Sequence, residues 1–410
     1  MNIVQFNSWA KDHIVDENKF DDNGFIIMEN KTNYKSTGII AKIFNDHWDT
    51  FYSKCNDNLS ICRPNADKEV HKMINCSLHN LGASIYVCPN DDEVYFCHHT
   101  CKGRLCSSCG IKTQNMVTQN ILEKCFKVKH RHITFTIPEL LRIWFIDDLT
   151  TTNILFEAAC ETLYSVVNGK YKKTRFYNLK WKPGFFAFLH TFGRPMNFNP
   201  HIHVIFAEYL INNGKFKKIT YLDYNALSKR FMKILLDKME KHFGKKIFRG
   251  TKNQMYQKYP NGFYVNNKLE DDGIKFNSIE ALIKYVVRYC SRPAIAESRI
   301  LDYDGTNVKW CYTDHKKNEY HETTEDAFSF IKRIIKHLLP HNFKTIRSYG
   351  FYNKPSKIPK DTNMLVSKEK INLRRQLLNW KMLIQSSFKR NPLMCPNCDI
   401  QMKYCFEVVP

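Results

Sequence analysis

Hydrophobic and polar positions alternate along three central segments in the way that β-strands require. The segment "RHITFTIP" (131–138) alternates and is stopped by Pro138. The segments "GFFAFLHTFG" (184–193) and "PHIHVIFAEYL" (200–210) are rich in aromatic and β-branched residues. The polar "RPMNFN" between these last two segments predicts a long hairpin.

Other segments carry apolar residues at the three- and four-residue spacing of helices. They are "KTQNMVTQNILEKCFKVKH" (112–130), two helices within 140–169, a basic region at about 225–245, "SIEALIKYVVRYCSR" (278–292) and "AFSFIKRIIKHLLP" (327–340). Ser278 is a good N-cap residue for the helix predicted at 278–292. The segment 299–312 between the last two helices resembles a strand. The mixture predicts an α+β protein with an antiparallel sheet at its centre.

The pattern also predicts the order of domains along the 410 residues. The predicted units are an N-terminal arm (1–50), a cysteine-rich module (51–115), a central domain (116–300) with a helical insertion at about 139–170, a helical extension (301–390) and a tail containing a CxxC motif (391–410).

Charge narrows the class of partner. There are 62 Lys and Arg residues against 40 Asp and Glu residues, which gives a net charge of +22. A basic protein of this kind suits a polyanion, because neutralised phosphates release counterions. No apolar run approaches the roughly 20 residues of a membrane-spanning helix, and the N-terminus lacks the apolar core of a signal peptide. We therefore expect a cytoplasmic protein that binds nucleic acid and no membrane.

Two histidines lie on one face of the predicted strand "NFNPHIHVIFAEYL" (197–210). His201 and His203 are two residues apart, so both side chains can reach one ion. His190 on the preceding strand is a third candidate ligand, since hairpin pairing brings it beside them. Three histidines leave coordination positions for water and substrate, as a catalytic ion requires. The alternative is a pair of packed core histidines. We assign the similar pair His130 and His132 to the surface or to a phosphate contact.

Two tyrosines share a face of the helix predicted at 278–292. Tyr285 and Tyr289 are four residues apart. A phenol can attack phosphorus and form a covalent phosphotyrosine if a cation stabilises the developing charge. The basic residues that we expect to hold DNA beside them are Lys284, Arg288 and Arg292. The alternatives are that the pair only packs, or that Tyr349 and Tyr352 are the functional tyrosines.

Several segments, taken together and in order, resemble the HUH superfamily of single-strand DNA endonucleases, and most closely the rolling-circle transposases of insertion-sequence family IS91. They are "CKGRLCSSCG", "HITFTIPELL", "LFEAACETL", "FLHTFG", "NPHIHVIF", "IKYVVRYCSRPAIAESRI" and "FIKRIIKHLLPHNFKTIRSYGF".

The resemblance implies a palm-like antiparallel sheet that carries the histidines and a helix that presents two nucleophilic tyrosines. By position, the HUH ligands are His201 and His203, and the nucleophiles are Tyr285 and Tyr289. Mg²⁺ or Mn²⁺ polarises the scissile phosphate in such enzymes, and a tyrosine attack leaves a 5′-phosphotyrosine and a free 3′-hydroxyl. Two tyrosines suit strand transfer by successive transesterifications, and we find no phosphate-binding P-loop, as expected for a reaction without ATP.

The fifteen cysteines are concentrated in two places, which indicates metal binding in a large chain without an export signal. We expect a structural Cys₄ zinc site in so short and loop-rich a segment. The expected ligands are Cys88, Cys101, Cys106 and Cys109, with Cys76, Cys97, His98 and His99 as substitutes or members of a second site. Related transposases typically carry a second CxxC near Cys88, where this chain has Asp91. The alternative is a set of buried thiols without metal.

The tail holds half of a second zinc knuckle. Cys395 and Cys398 form its CxxC, and Cys405 is a possible third ligand. A complete site needs a partner elsewhere in the chain, and reduced thiols without metal are the alternative.

These observations favour a transposase that nicks and rejoins single-stranded DNA and whose zinc module docks on the element's terminal DNA. One alternative is a plasmid or phage replication initiator, or a relaxase, with the same chemistry. Another is a zinc-dependent DNA-binding regulator without catalytic activity.

Overall fold

A computed structural model describes most of the chain. The described residues are 38–55, 63, 65–90, 94–167, 181–212, 215–266, 278–314, 319–353, 372, 375–376, 378–389, 391–395 and 397–409. Most of the predicted N-terminal arm, residues 1–37, lies outside them, and so does Asp91.

The architecture is α+β, with antiparallel sheets and helices, as the sequence predicted. The helices are α1 (Ile39–Cys55), α2 (Ala66–Ile74), α3 (Ser107–Lys124), α4 (Glu139–Arg142), α5 (Asn153–Val167), α6 (Tyr224–Phe243), α7 (Lys245–Lys258), α8 (Ile279–Ser291), α9 (Ala327–Ile335) and α10 (Trp380–Phe388). The strands are β1 (Ala83–Val87), β2 (Val94–His98), β3 (His130–Thr136), β4 (Lys182–Phe192), β5 (Phe198–Asn212), β6 (Lys215–Lys218), β7 (Val265–Asn266), β8 (Ile300–Tyr303), β9 (Asn307–Asp314), β10 (Glu319–Asp326), β11 (Ile346–Gly350) and β12 (Lys403–Val408). None of the described helices is long and apolar enough to cross a bilayer.

The largest sheet has β5 near its middle. Its strand order is β11-β4-β5-β3-β7, and β6 pairs with one end of β5. The register places His190 of β4 opposite His201 of β5, and Phe188 opposite His203. On the other side of β5, Thr134 of β3 lies opposite His203. The histidine-bearing strand is therefore held from both sides.

The two faces of this sheet carry different layers. Ile202, Val204 and Phe206 point to one face, where they join a core with residues of α5 and α6. Ile205 and Ala207 point to the opposite face, where they meet apolar residues of α3 and α8. Because side chains alternate along a strand, His201 and His203 project on the side that α8 covers. Burial on both faces explains why β4 is almost continuously apolar.

Two smaller sheets complete the fold. The order β10-β9-β8 forms one, and it shares an apolar core with α1, α2 and α9 around Trp48 and Trp310. The order β12-β1-β2 forms the other, so that a strand near residue 405 pairs with one near residue 85. Antiparallel hydrogen bonding thus joins the cysteine-rich module to the tail.

Several predicted boundaries differ from the structure. The predicted arm (1–50) ends inside α1, and the predicted helical extension (301–390) contains strands β9, β10 and β11 besides α9 and α10. The segment 299–312 contains two strands, β8 and β9, with Gly305 (φ 94°) between them. Residues 140–169, predicted as two helices, contain α5, the end of α4 and the two short 3₁₀ helices Ile143–Phe145 and Leu149–Thr152. Asp148 accepts a hydrogen bond from the Thr150 amide and so caps the second of these short helices.

Candidate functional site

Three histidines meet on one face of the largest sheet. The ligand nitrogens of His190, His201 and His203 all lie within 4.8 Å of one another. The ring centroids of His190 and His203 are 4.1 Å apart, and those of His201 and His203 are 4.8 Å apart. The hairpin pairing of β4 and β5 produces this arrangement, because it sets His190 directly opposite His201. Among the described residues, the cluster has the donor type and spacing of a divalent-metal site.

Backbone carbonyls fix the orientation of two of these rings. His201 Nδ1 donates to the Asn199 carbonyl at 2.6 Å, so the ligand lone pair of His201 is on Nε2. His190 Nε2 donates to the Val286 carbonyl at 3.0 Å, so its lone pair is on Nδ1. A hydrogen bond from the non-ligating nitrogen is the usual support of a metal-bound histidine.

His190 is buried and held neutral. Only 2% of the residue is exposed. Burial, and then the neighbouring His201, hold the pKa of His190 well below its ordinary value of 6.5. The neutral imidazole is the form that binds a metal.

Two further residues support the third ring. His132 Nε2 and His203 Nδ1 are 2.7 Å apart, and Thr134 Oγ1 lies 3.3 Å from the same Nδ1. The prediction that His132 lies at the surface or contacts a phosphate is wrong. His132 is only 4% exposed and lies against His203 in the sheet. The sequence did contain a signal. His132 and Thr134 are two residues apart on the strand that pairs with β5, so both side chains lie on one face, as those of His201 and His203 do.

The helix α8 brings both predicted tyrosines to this face. Ser278 caps α8 by accepting a hydrogen bond from the Ala281 amide at 3.1 Å, as predicted. The rings of Tyr285 and Tyr289 lie 5.7 Å apart, and the Tyr289 ring lies 5.2 Å from that of His190. Burial, and then Tyr289, raise the pKa of Tyr285 to about 12. Tyr289 is therefore the phenol in contact with the histidine cluster, and Tyr285 lies one helical turn before it.

The alternative tyrosines have other environments. Tyr349 stacks on Phe185 in the core, with ring centroids 5.0 Å apart. Tyr352 is 3% exposed, and its hydroxyl lies 2.7 Å from His130 Nε2. The contacts described for both residues are therefore with groups other than the three histidines.

A basic cleft opens beside Tyr289. Its volume is about 760 Å³, and its lining includes Tyr289 and four arginines, Arg194, Arg288, Arg292 and Arg299. Arg288 and Arg292 were predicted from the sequence to hold DNA, whereas Arg194 and Arg299 were not. Lys284, the remaining predicted contact, lies outside this lining and pairs with Glu280 at 2.8 Å. Guanidinium groups around a cleft of this size favour phosphate as the ligand.

Four cysteines form a separate cluster at the start of α3. The sulfurs of Cys76, Cys101, Cys106 and Cys109 all lie within 4.8 Å of one another, and three of their separations are 3.5–3.7 Å. Tetrahedral zinc with Zn–S bonds of about 2.3 Å places its sulfurs about 3.8 Å apart. The Cys101 amide points at the Cys76 sulfur and the Gly103 amide at the Cys101 sulfur, as expected around metal-bound thiolates.

This set differs from the expected one at a single ligand. Cys76 takes the place that we expected for Cys88, which instead lies beside Cys395 and Cys398 of the tail. The reason is that Cys88 follows β1, the strand that pairs with β12. Cys97 lies on β2 opposite Ser84, and burial raises the pKa of its thiol to about 11. His99 contacts the Leu81 carbonyl and Glu407, and neither His98 nor His99 belongs to the four-sulfur cluster. Hydrogen bonds from Cys101 and then Cys106 lower the pKa of the Cys76 thiol below its ordinary value.

Two known protein families match this chain, one over the histidine cluster and one over the four-cysteine cluster. Residues 184–359 match a family described as "Putative transposase", and residues 43–137 match a family described as "Transposase zinc-binding domain". The first range contains the three histidines and both tyrosines, and the second contains the four-cysteine cluster.

Two known proteins are similar over most of the chain. One is a transposase for insertion sequence element IS801 from Pseudomonas savastanoi pv. phaseolicola, 26% identical over 304 residues, which cover 69% of this chain and 69% of the relative. The other is "Putative transposase y4qJ" from Sinorhizobium fredii, 25% identical over 295 residues, which cover 67% of this chain and 71% of the relative. No solved structure matches the chain.

Proposed function

We propose that this chain, a member of the IS91 family of transposases with that family's N-terminal zinc-binding domain, nicks and rejoins single-stranded DNA at the ends of a mobile element. The reaction proceeds through a 5′-phosphotyrosine intermediate, in rolling-circle transposition. The observation that carries the proposal is the contact between α8 and the histidine cluster. The Tyr289 ring lies 5.2 Å from His190, and His190 donates to the Val286 carbonyl of the same helix.

We assign His190, His201 and His203 as the ligands of a catalytic Mg²⁺ or Mn²⁺. Their nitrogens converge within 4.8 Å, and each ring is oriented by a second contact. When bound, such an ion polarises the scissile phosphate and stabilises its developing charge. The largest sheet, with α8 packed on the face that carries the histidines, would then be the palm of an HUH endonuclease.

Tyr289 makes the first attack in this proposal. Its phenol oxygen bonds to the phosphorus, and the bond from phosphorus to the 3′ oxygen breaks. The 3′ oxygen leaves with a proton as a free hydroxyl, and the downstream strand stays on Tyr289 through its 5′ phosphate. One phosphodiester replaces another, so the link retains the free energy for rejoining and no ATP is needed. Tyr285 then serves the second transesterification, since the high pKa that burial gives it disfavours an early deprotonation.

The four arginines of the cleft would grip the DNA backbone on either side of the scissile phosphate. Arg288 and Arg292 follow Tyr285 and Tyr289 along the chain, and Arg194 lies between β4 and β5. Lys284 is exposed outside this lining and pairs with Glu280, so it would add only to the general basic charge of the surface. The net charge of +22 supplies the sequence-independent part of the affinity. The partner is single-stranded DNA at element ends and at the target, encountered in the cytoplasm.

The predicted division of the chain completes the proposal. Residues 51–115 form the zinc module that docks on terminal DNA, and residues 116–300 form the catalytic domain. Residues 301–390 and 391–410 form the extension and the tail, whereas the predicted arm (1–50) ends inside α1, whose Trp48 packs in a core with α2 and α9. A Zn²⁺ ion on Cys76, Cys101, Cys106 and Cys109 would hold the start of α3 in place.

A covalent adduct tests this function directly. Purified protein, Mn²⁺ and single-stranded DNA from the element's ends should give a protein–DNA band that survives denaturing electrophoresis. Tyr289→Phe should abolish the first adduct, whereas Tyr285→Phe should keep it and lose strand transfer. Tyr349→Phe is the matched control, because that ring is stacked on Phe185 away from the site.

Two outcomes would overturn the proposal. Tight DNA binding without an adduct under either metal would indicate a non-catalytic DNA-binding regulator. An adduct that persists in the double variant Tyr285→Phe with Tyr289→Phe would place the nucleophile elsewhere.

A further inference from the structure

A second group of cysteine sulfurs joins the end of β1 to the C-terminal tail. The sulfurs of Cys88, Cys395 and Cys398 are all within 4.8 Å of one another, and those of Cys88 and Cys398 are 3.4 Å apart. The sequence separation between these two residues is 310. So long a separation means that the contact depends on tertiary structure alone.

The backbone around these residues is built to hold the sulfurs together. Strand β12 pairs with β1 in a register that runs from Ala83 opposite Val408 to Val87 opposite Lys403. Cys88 follows directly on β1, and the tail segment with Cys395 precedes β12. The sheet therefore positions the cysteines from both sides.

The tail itself forms a tight hairpin around Cys395. The Cys395 amide donates to the Ile400 carbonyl at 2.9 Å, and Met394 forms a bridge with Gln401. The Asn397 amide lies 3.4 Å from the Cys395 sulfur. Asp399 adopts a positive φ of 56°, which allows the chain to turn back. An amide directed at the first sulfur of a CxxC turn is also present at Cys106, whose sulfur accepts from the Cys109 amide at 3.5 Å.

Burial alone does not require three sulfurs in one place. Cys88 and Cys395 have no exposed surface, and Met402, Tyr86 and Tyr95 pack around them. Apolar packing would be satisfied by any side chains of similar volume. Three thiols that converge, with an amide directed at one sulfur, have instead the features that the structure repeats at the four-cysteine cluster.

We propose that Cys88, Cys395 and Cys398 bind a second zinc ion, which fastens the C-terminal tail to the N-terminal zinc-binding domain. Three thiolates occupy three positions of a tetrahedral ion, and an oxygen or nitrogen donor completes the fourth. The binding releases a proton from each thiol. The ion is structural, because it lies among buried apolar residues and belongs to neither the histidine cluster nor the arginine-lined cleft.

Zinc stoichiometry tests the site without using the cleavage reaction. The wild-type protein, purified without chelator, should contain two zinc ions per chain by elemental analysis, one for each cysteine cluster. Cys395→Ser combined with Cys398→Ser should retain one ion, and Cys88→Ser should do the same. The matched control is Cys405→Ser on β12, which should retain two, because Cys405 is exposed and outside the group.

Cobalt substitution provides the second measurement. Cobalt at this site should show thiolate charge-transfer absorption. The double variant Cys395→Ser with Cys398→Ser should lose the absorption of this site and keep that of the four-cysteine site. One zinc ion in the wild type, with complete loss in Cys106→Ser, would overturn the proposal. A disulfide between Cys88 and Cys398 under reducing purification would overturn it as well. Neither result depends on whether the protein cleaves DNA.

Discussion

Acidification should destabilise the protein through His337, a residue that follows α9 and holds the loop between β4 and β5. His337 Nε2 donates to the Met196 carbonyl at 3.0 Å, and the rings of Phe192 and Phe198 flank the imidazole. Nδ1 is buried and has no hydrogen-bond partner among the described residues. Protonation of Nδ1 would therefore bury a charged N–H group that has no hydrogen-bond acceptor among the described residues. Burial lowers the pKa of His337 to about 4, against an ordinary value of 6.5.

The size of the effect follows from the difference between the folded and unfolded pKa. Below pH 6.5 the unfolded state binds a proton that the folded state does not bind, so the free energy of unfolding falls as the pH falls. The full stabilisation is present above pH 6.5 and is lost as the pH drops towards 4. For these two pKa values, the loss between about pH 7.5 and about pH 5 is about 2 kcal/mol.

The variant His337→Gln isolates this contribution. The glutamine amide can donate to the Met196 carbonyl and does not titrate in this range. Urea unfolding of both proteins at the two pH values gives a double difference, in which the other titrating groups cancel. His130, whose pKa burial also lowers to about 4, is present in both proteins. On acidification, the free energy of unfolding of the variant should fall by about 2 kcal/mol less than that of the wild type.

An equal loss of stability in both proteins would refute the reasoning, because it would mean that His337 accepts a proton in the folded state. A second readout concerns the cleft. Met196 (φ 56°) lies in the loop that contains Arg194, so acid release of His337 should weaken DNA binding before global unfolding. Unchanged affinity down to pH 5 would show that the loop is held by other contacts.

Two further changes test the site and the sheet. His203→Ala should reduce adduct formation by at least about a hundredfold, because a Lewis-acid metal contributes several kcal/mol to such reactions. The salt-dependent affinity for DNA should change by less than about twofold in the same variant. Equal loss of cleavage and of binding in gel-shift assays would contradict the assignment of His203 to catalysis. Gly350→Ala should destabilise the protein by more than about 4 kcal/mol, since its added Cβ would lie 1.6 Å from the Pro183 carbonyl oxygen at a φ of 62°. Gly244→Ala, with a φ of 93° and no atom within 4 Å of its Cβ, should destabilise it by only about 1–3 kcal/mol, and similar values for both in denaturant unfolding would contradict the steric argument.

The local parts of the fold could be predicted from the sequence. The hairpin of β4 and β5 follows from two apolar runs that are separated by a short polar loop, and the alternation within β5 places His201 and His203 on one face. The spacing of Tyr285 and Tyr289 follows in the same way from the helical period. In each case the deciding contacts lie within about twenty residues.

The parts that the sequence did not predict depend on distant pairing. His132 reaches His203 because β3 pairs with β5, and nothing in either strand alone specifies that neighbour. The expected four-cysteine set includes Cys88, whereas the sheet turns Cys88 towards the tail. Periodicity determines which face a residue occupies, but it does not determine which strand or helix lies against that face.

The pairing of β12 with β1 has a consequence for synthesis. At about 5–20 residues per second, a ribosome needs roughly 15–60 s to travel the 310 residues from Cys88 to Cys398. During that interval β1 has β2 on one side and an open edge on the other, and such edges recruit foreign strands. Nascent chains and prematurely terminated translation products should therefore be bound by chaperones at this edge, and a gene copy truncated before codon 403 should yield an aggregating polypeptide.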